Sequence, residues 1–216
     1  MNVTGKTLYV PYMSKTLRIC NQRCRAWNTP YGYQGSKETL SNAGCGIFSI
    51  AHAVNWMNGL EISPEELGAF SVLNGGRGDD GTDRPALLHA MQEKGLACRF
   101  GFEYREDGLR NDLETLYEHL RAGNTGLGNL RVGHIVALLE AREKEGEKQV
   151  LAADPYSESN HERVAENIRE CIEGSEIETR IVNSRGVFIS QLMTFAVYWV
   201  PLGQVHDFNL LYRLRG

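Results

Sequence analysis

Asn42-Ala43-Gly44-Cys45-Gly46 leads directly into Ile47-Phe48-Ser49-Ile50-Ala51-His52-Ala53-Val54, and this stretch constrains the fold more than any other. Ile47, Ile50, Ala51 and Val54 fall on one face at helical spacing, and Trp56 and Met57 continue the pattern. Asn58-Gly59 supplies residues that accept a left-handed backbone, so the spacing predicts a buried helix from about 45 to 58. Cys45 then sits at the helix mouth, where free backbone N–H groups and the helix dipole favour a thiolate, the reactive form of cysteine. Gly44 and Gly46 carry no side chains and would let another molecule approach the sulfur. The alternative is a small buried cysteine at a tight turn.

The rest of the chain bears on that choice. At 216 residues it is expected to form one domain, or one with an insertion. Such a length buries roughly 70% of its unfolded surface, so no disulfide or metal staple is needed. The five cysteines, Cys20, Cys24, Cys45, Cys98 and Cys171, are odd in number and irregularly spaced, which points to free thiols in a reducing compartment. Cys20 and Cys24 lack a second ligand pair, so no metal is expected. The glycine-rich Asn74–Gly81 loop is not followed by the Gly-Lys-Ser/Thr of a phosphate loop; it reads as a flexible rim loop, and no cofactor is expected. A net charge of −4 argues against nucleic acid or an anionic membrane as partner. No stretch has the length of a membrane span, and Met1–Lys6 lacks an apolar signal core, so a cytoplasmic location is expected; a signal peptide already removed would leave no trace.

Coarse patterning gives an α+β chain. A strand-like piece at 7–12 precedes a loop-rich segment at 20–44. Ser63, Pro64 and Glu66 announce a helix to about Leu73. Thr82 or Asp83 caps a third helix that carries Leu87, Leu88 and Met91 and ends at Gly95. A strand is expected at Ala97–Phe102, and a fourth helix from about Leu109 to Arg121. The second half changes character. It offers strands at 133–140, 149–155, 194–201 and 208–214, with a charged turn at 141–148. Residues 156–192 read as an insertion holding an amphipathic helix at about 161–171.

A thiol nucleophile needs a base, and the base needs an orienting group. His134 begins one strand and Asp154 ends the next. In a hairpin centred on residue 144 the two are cross-strand neighbours on one face, where a carboxylate can hold the imidazole tautomer. Each also has an ordinary reading, as a strand-end histidine and as a turn residue before Pro155. The other histidines fit less well. His52 lies nearly two turns along the Cys45 helix, His119 is in a different helix, His89 reads as a boundary residue, and His161 and His206 have polar surroundings.

Taken together, Ala43-Gly44-Cys45-Gly46, Gly133-His134-Ile135-Val136-Ala137 and Ala153-Asp154-Pro155 resemble the papain-like cysteine peptidases of the bacteriocin-processing type. Upstream, Gln22 with Trp27-Asn28-Thr29-Pro30-Tyr31-Gly32 is similar to a Gln…Trp…Tyr-Gly segment of that group. The resemblance spans about residues 20–155 and recurs at the 194–200 strand. It implies a single papain-like domain over 1–216. A helical part at about 20–125 would present the nucleophile helix to an antiparallel sheet at about 126–216. It further implies Cys45 as nucleophile, His134 as base and acid, Asp154 as orienting group and Gln22 as an oxyanion-hole donor, with Gln34 as the fallback. Ile47 stands where the family often has proline, and Gln22-Arg23-Cys24-Arg25 lacks the usual acidic-proline pair.

The expected activity is thiol-dependent hydrolysis of a peptide or amide bond through an acyl-enzyme. Acyl transfer to an amine on the same residues, or peptide binding without catalysis, are the alternatives. The sequence is silent on oligomeric state.

Overall fold

The computed structural model describes residues 7–12, 15–20, 22, 27–33, 36–105, 112–131, 134–155 and 196–214. The chain begins with strands β1 (Thr7–Tyr12) and β2 (Lys15–Cys20). Helices α1 (Leu40–Ala43), α2 (Cys45–Asn58) and α3 (Pro64–Leu73) follow, then the short strands β3 (Arg77–Gly78) and β4 (Gly81–Thr82). Next come α4 (Arg84–Glu93), α5 (Leu96–Arg99), β5 (Phe102–Tyr104) and α6 (Leu113–Arg121). The second half holds β6 (Thr125–Arg131), β7 (His134–Lys144), β8 (Glu147–Asp154), β9 (Ala196–Pro201) and β10 (Asp207–Arg213), with a 310 turn at Leu202–Gln204. The expected insertion at 156–192, and Gln34, Cys24, Cys171 and His161, lie outside the described residues, whereas the helix expected from about 109 begins at Leu113, capped by Asp112.

The architecture is mixed, with helices packed on an antiparallel sheet of order β5-β10-β6-β7-β8-β9. Alternation along the strands divides two cores. Ile135, Ala137, Leu139, Leu151, Ala153, Val197 and Trp199 pack with α2. Val136, Leu138, Val150, Ala152, Tyr198 and Val200 pack with α6 and the 310 turn on the opposite face.

Helix α2 is the axis of the first core. The one-sided stripe expected from its spacing is an understatement, since every residue from Gly46 to Met57 is buried. Sheet strands cover one side, and the β1–β2 hairpin, α1, α3 and β4 surround the rest. Gly59 closes the helix at φ 70°, its N–H on the Asn55 carbonyl. Two polar side chains of α2 also serve the edge of β2. Asn55 Oδ1 accepts the Arg18 N–H at 2.7 Å, and His52 Nε2 accepts the Cys20 N–H at 2.8 Å. Edge amides that would otherwise be buried unpaired are satisfied in this way.

Several sequence expectations are adjusted. Ser63 caps α3 by accepting the Glu66 N–H at 3.3 Å, and Asp83, rather than Thr82, caps α4 through the Ala86 N–H at 3.1 Å. The strand expected at 97–102 is instead the helical turn α5, entered through Gly95 at φ 73°, and the strand starts only at Phe102. Strand β2 was not expected, and neither was β6. Gly126 and Gly128 weaken the strand pattern of β6, but a Cβ there would stand 2.9 Å from the Asn209 carbonyl and 2.7 Å from Leu138 Cδ1, respectively. The rim loop is a built hairpin. Arg77 is buried and donates to the carbonyls of Tyr31 at 3.1 Å and Gly81 at 2.7 Å, and it pairs with Glu38. No helix among the described residues is long and apolar enough to cross a membrane.

Candidate functional site

Cys45 is the first residue of α2, half-buried, with Gly44 as N-cap. Close packing demands the flanking glycines. A Cβ on Gly44 would lie 2.6 Å from the Leu40 carbonyl oxygen, and one on Gly46 would lie 2.6 Å from Thr82 Cβ. The β3–β4 hairpin is thereby seated against the helix mouth. Tyr31 reinforces the seat, its hydroxyl 2.8 Å from Thr82 Oγ1 and 3.1 Å from Ser71 Oγ. Trp27 packs edge-on against Phe48, ring centroids 5.2 Å apart, so the upstream Trp-to-Tyr segment braces the first turns of α2.

One turn beyond Cys45, Ser49 Oγ donates to the Ile135 carbonyl at 2.9 Å. This fixes α2 against the start of β7, where His134 is the first residue. His134 Nε2 lies 2.6 Å from Asp154 Oδ1, and the imidazole also hydrogen-bonds the Cys45 sulfur. With Nε2 turned to the carboxylate, Nδ1 is the nitrogen left to face the thiol. Asp154 is fully buried at the end of β8, and its Oδ2 accepts the Tyr198 hydroxyl at 2.9 Å.

The pairing register corrects one detail. The β7–β8 turn is only Glu145-Gly146, with Lys144 opposite Glu147, and the register shifts between Leu138 and Glu140. Past that irregularity Leu138 faces Ala152 and Ala137 faces Ala153. Continuing the register puts Asp154 opposite Val136, two residues from His134 on the same face. The pair is therefore diagonal, a separation that a long side chain and a ring span.

The electrostatics follow from this contact. Burial pushes the Cys45 thiol up. The hydrogen bond and charge of His134, with the backbone N–H groups of Ile135 and Gly46, outweigh it and hold the thiol below its ordinary value. Burial pushes His134 down, but the Asp154 carboxylate and the Cys45 sulfur raise it to about 10. The contact biases both groups in the same sense, the sulfur toward its thiolate form and the ring toward its protonated form.

Gln22 is buried, its backbone N–H on the Pro155 carbonyl at 3.1 Å, which sets it beside the end of β8 that carries Asp154. Its Oε1 has no hydrogen-bond partner among the described residues. Among the described residues, His134 is the histidine that acts on the Cys45 thiol. His119 is buried, with Nε2 2.9 Å from the Thr125 carbonyl, and His89 meets Tyr104 edge-on, ring centroids 5.2 Å apart. His206 is exposed. His52 is buried and lowered to about 3 by burial and by Arg18. Among the described residues no group of three or more His, Cys, Asp or Glu side chains is arranged to hold a metal. Sequence reasoning missed Ser49, Thr82 and Tyr198. The alternation that sets Asp154 on one face of β8 gives no hint of a phenol two strands away from His134.

In comparison with known proteins, no family model and no curated sequence matches the chain.

Proposed function

We propose that the protein is a papain-like cysteine hydrolase of the bacteriocin-processing type, cleaving a peptide or amide bond with Cys45 as nucleophile. The observation that carries this reading is His134, which touches the Cys45 sulfur on one side and Asp154 Oδ1, at 2.6 Å, on the other. An incidental cysteine at a tight turn has no need of a buried imidazole, and a buried histidine has no need of a second, reactive partner.

In the proposed reaction the Cys45 thiolate attacks the carbonyl carbon of the substrate, and the carbonyl oxygen becomes an oxyanion. The Cys45 backbone N–H at the helix mouth and the Gln22 side-chain amide donate to it. One such donor contributes ~3 kcal/mol to transition-state stabilisation. The His134 imidazolium gives its proton to the departing amine, which leaves a thioester on Cys45 and a neutral ring. The ring then takes a proton from water as the water attacks the thioester. The acid product departs, and the thiolate–imidazolium pair is restored. Asp154 stays ionised throughout; it holds Nε2 and so keeps Nδ1 aimed at the sulfur.

Time-resolved alkylation with iodoacetamide, followed by peptide mapping, tests this reading. The expected result is labelling of Cys45 well ahead of the exposed Cys98 at neutral pH. Labelling of Cys45 no faster than Cys98 removes the activated thiol and the reading with it.

A further inference from the structure

We propose that Tyr198 is a positioning residue of this site, fixing the rotation of the Asp154 carboxylate so that Oδ1 stays on His134. The inference rests on the hydrolase reading and adds to it a residue that no sequence motif marks.

The argument begins with the strand registers. Tyr198 on β9 is directly opposite Ala152 on β8, so it stands two residues along from Asp154 on the same face. His134 on β7 is offset from Asp154 in the same manner on the other side. Three neighbouring strands therefore place imidazole, carboxylate and phenol in one diagonal row. The contacts follow it, with Nε2 to Oδ1 at 2.6 Å and the phenol hydroxyl to Oδ2 at 2.9 Å.

The chemistry gives the hydroxyl its role. The terminal torsion of an aspartate is broad, so one hydrogen bond leaves its carboxylate free to swing. A second donor on the other oxygen removes that freedom. A phenol near neutral pH is protonated and donates to a carboxylate with charge assistance. Asp154 is fully buried and Tyr198 nearly so, so solvent does not replace the phenol if it is lost. Packing alone does not account for the residue, because phenylalanine would fill the same place between β9 and the α6 layer.

The test is Tyr198→Phe, read by NMR titration of ¹³C-labelled histidine in the whole protein. Cys45 alkylation and thermal unfolding are measured alongside. A carboxylate free to rotate holds the imidazolium less well. The His134 midpoint is expected to fall by about one pH unit, a tenfold loss in proton affinity, with Cys45 still alkylated ahead of Cys98. An unchanged midpoint overturns the proposal while leaving the hydrolase reading intact. A wild-type His134 that titrates at its ordinary value, with a slow Cys45, overturns the hydrolase reading itself. A double-mutant cycle separates positioning from packing. In an Asp154→Asn background, Tyr198→Phe is expected to add nothing to the His134 shift, and an equal shift in both backgrounds overturns the proposal. If Tyr198→Phe does not fold, 4-methylphenylalanine at this position keeps the shape and removes the donor. It is expected to lower the midpoint as phenylalanine would, and no movement overturns the proposal.

Discussion

His134 and Asp154 are bonded at 2.6 Å although the sheet does not set them opposite one another. The two-residue turn and the register shift near Leu139 move Asp154 to face Val136, and the imidazole closes the diagonal. The thiol of Cys45 meets the same ring from α2. The chemistry expected of the site depends on that ring being held from both sides.

His134→Ala removes the hydrogen bond and charge that lower the Cys45 thiol and leaves the burial that raises it. Alkylation of Cys45 by iodoacetamide should slow by roughly tenfold as the thiolate fraction falls. Cys20 is buried, with its thiol raised mainly by that burial, and should stay slow in both proteins. Peptide mapping over a time course reads both rates, and an unchanged Cys45 rate rules out the imidazole as its partner.

Asp154→Asn removes the charge that raises His134 to about 10. Because the folded value lies above the unfolded one, the proton on His134 stabilises the fold below about pH 6.5, and this contribution is lost as pH rises through about 10. The variant should therefore lose more stability at pH 6 than at pH 10.5 relative to wild type. Urea unfolding at the two pH values measures the difference, and equal losses would contradict the assignment.

Gly46→Ala puts a methyl group 2.6 Å from Thr82 Cβ, at the seat of the β3–β4 hairpin. The expected cost is about 1–3 kcal/mol, as for other overpacked sites. Adding Thr82→Gly should recover part of it, because the opposing atoms are gone. Denaturant midpoints of the single and double variants check this, and additive losses would place the strain elsewhere.

His52 gives the opposite pH signature. It is lowered to about 3, so the unfolded chain takes up this proton near pH 6.5 while the folded chain refuses it until about 3. Stability should therefore fall as pH drops through that window, with a slope from this group approaching about 1.4 kcal/mol per pH unit. His52→Gln removes the titration, although it also disturbs the bond to the Cys20 N–H. The slope, rather than the absolute stability, is the quantity to compare, and an unchanged slope would assign it to other groups.

The helix that carries Cys45 was legible because its apolar run, its glycine stop and its glycine-flanked start agree. The His134–Asp154 pair was legible because two strand patterns bracket one charged turn. Its diagonal offset was not, since the register shift near Leu139 has no mark in the local sequence. Strand β6 was hidden by Gly126 and Gly128, whose value lies in close strand contact rather than in propensity. The packing role of the glycines around Cys45 is not legible locally, because the Leu40 carbonyl and Thr82 that crowd them come from other elements. Arg77 lies in a stretch whose composition is that of a loop, and tertiary packing surrounds it with carbonyls.

The sheet lies between two cores, and the site draws on both. Cys45 travels with the helix on one face, whereas Asp154 and Tyr198 share the strand face that looks toward α6. The distance from sulfur to ring is thus a gauge of how the two layers dock. A small slip of α2 along β7 would disarm the thiol while both layers remain folded, so on warming the fast alkylation of Cys45 should fade before the helical signal does.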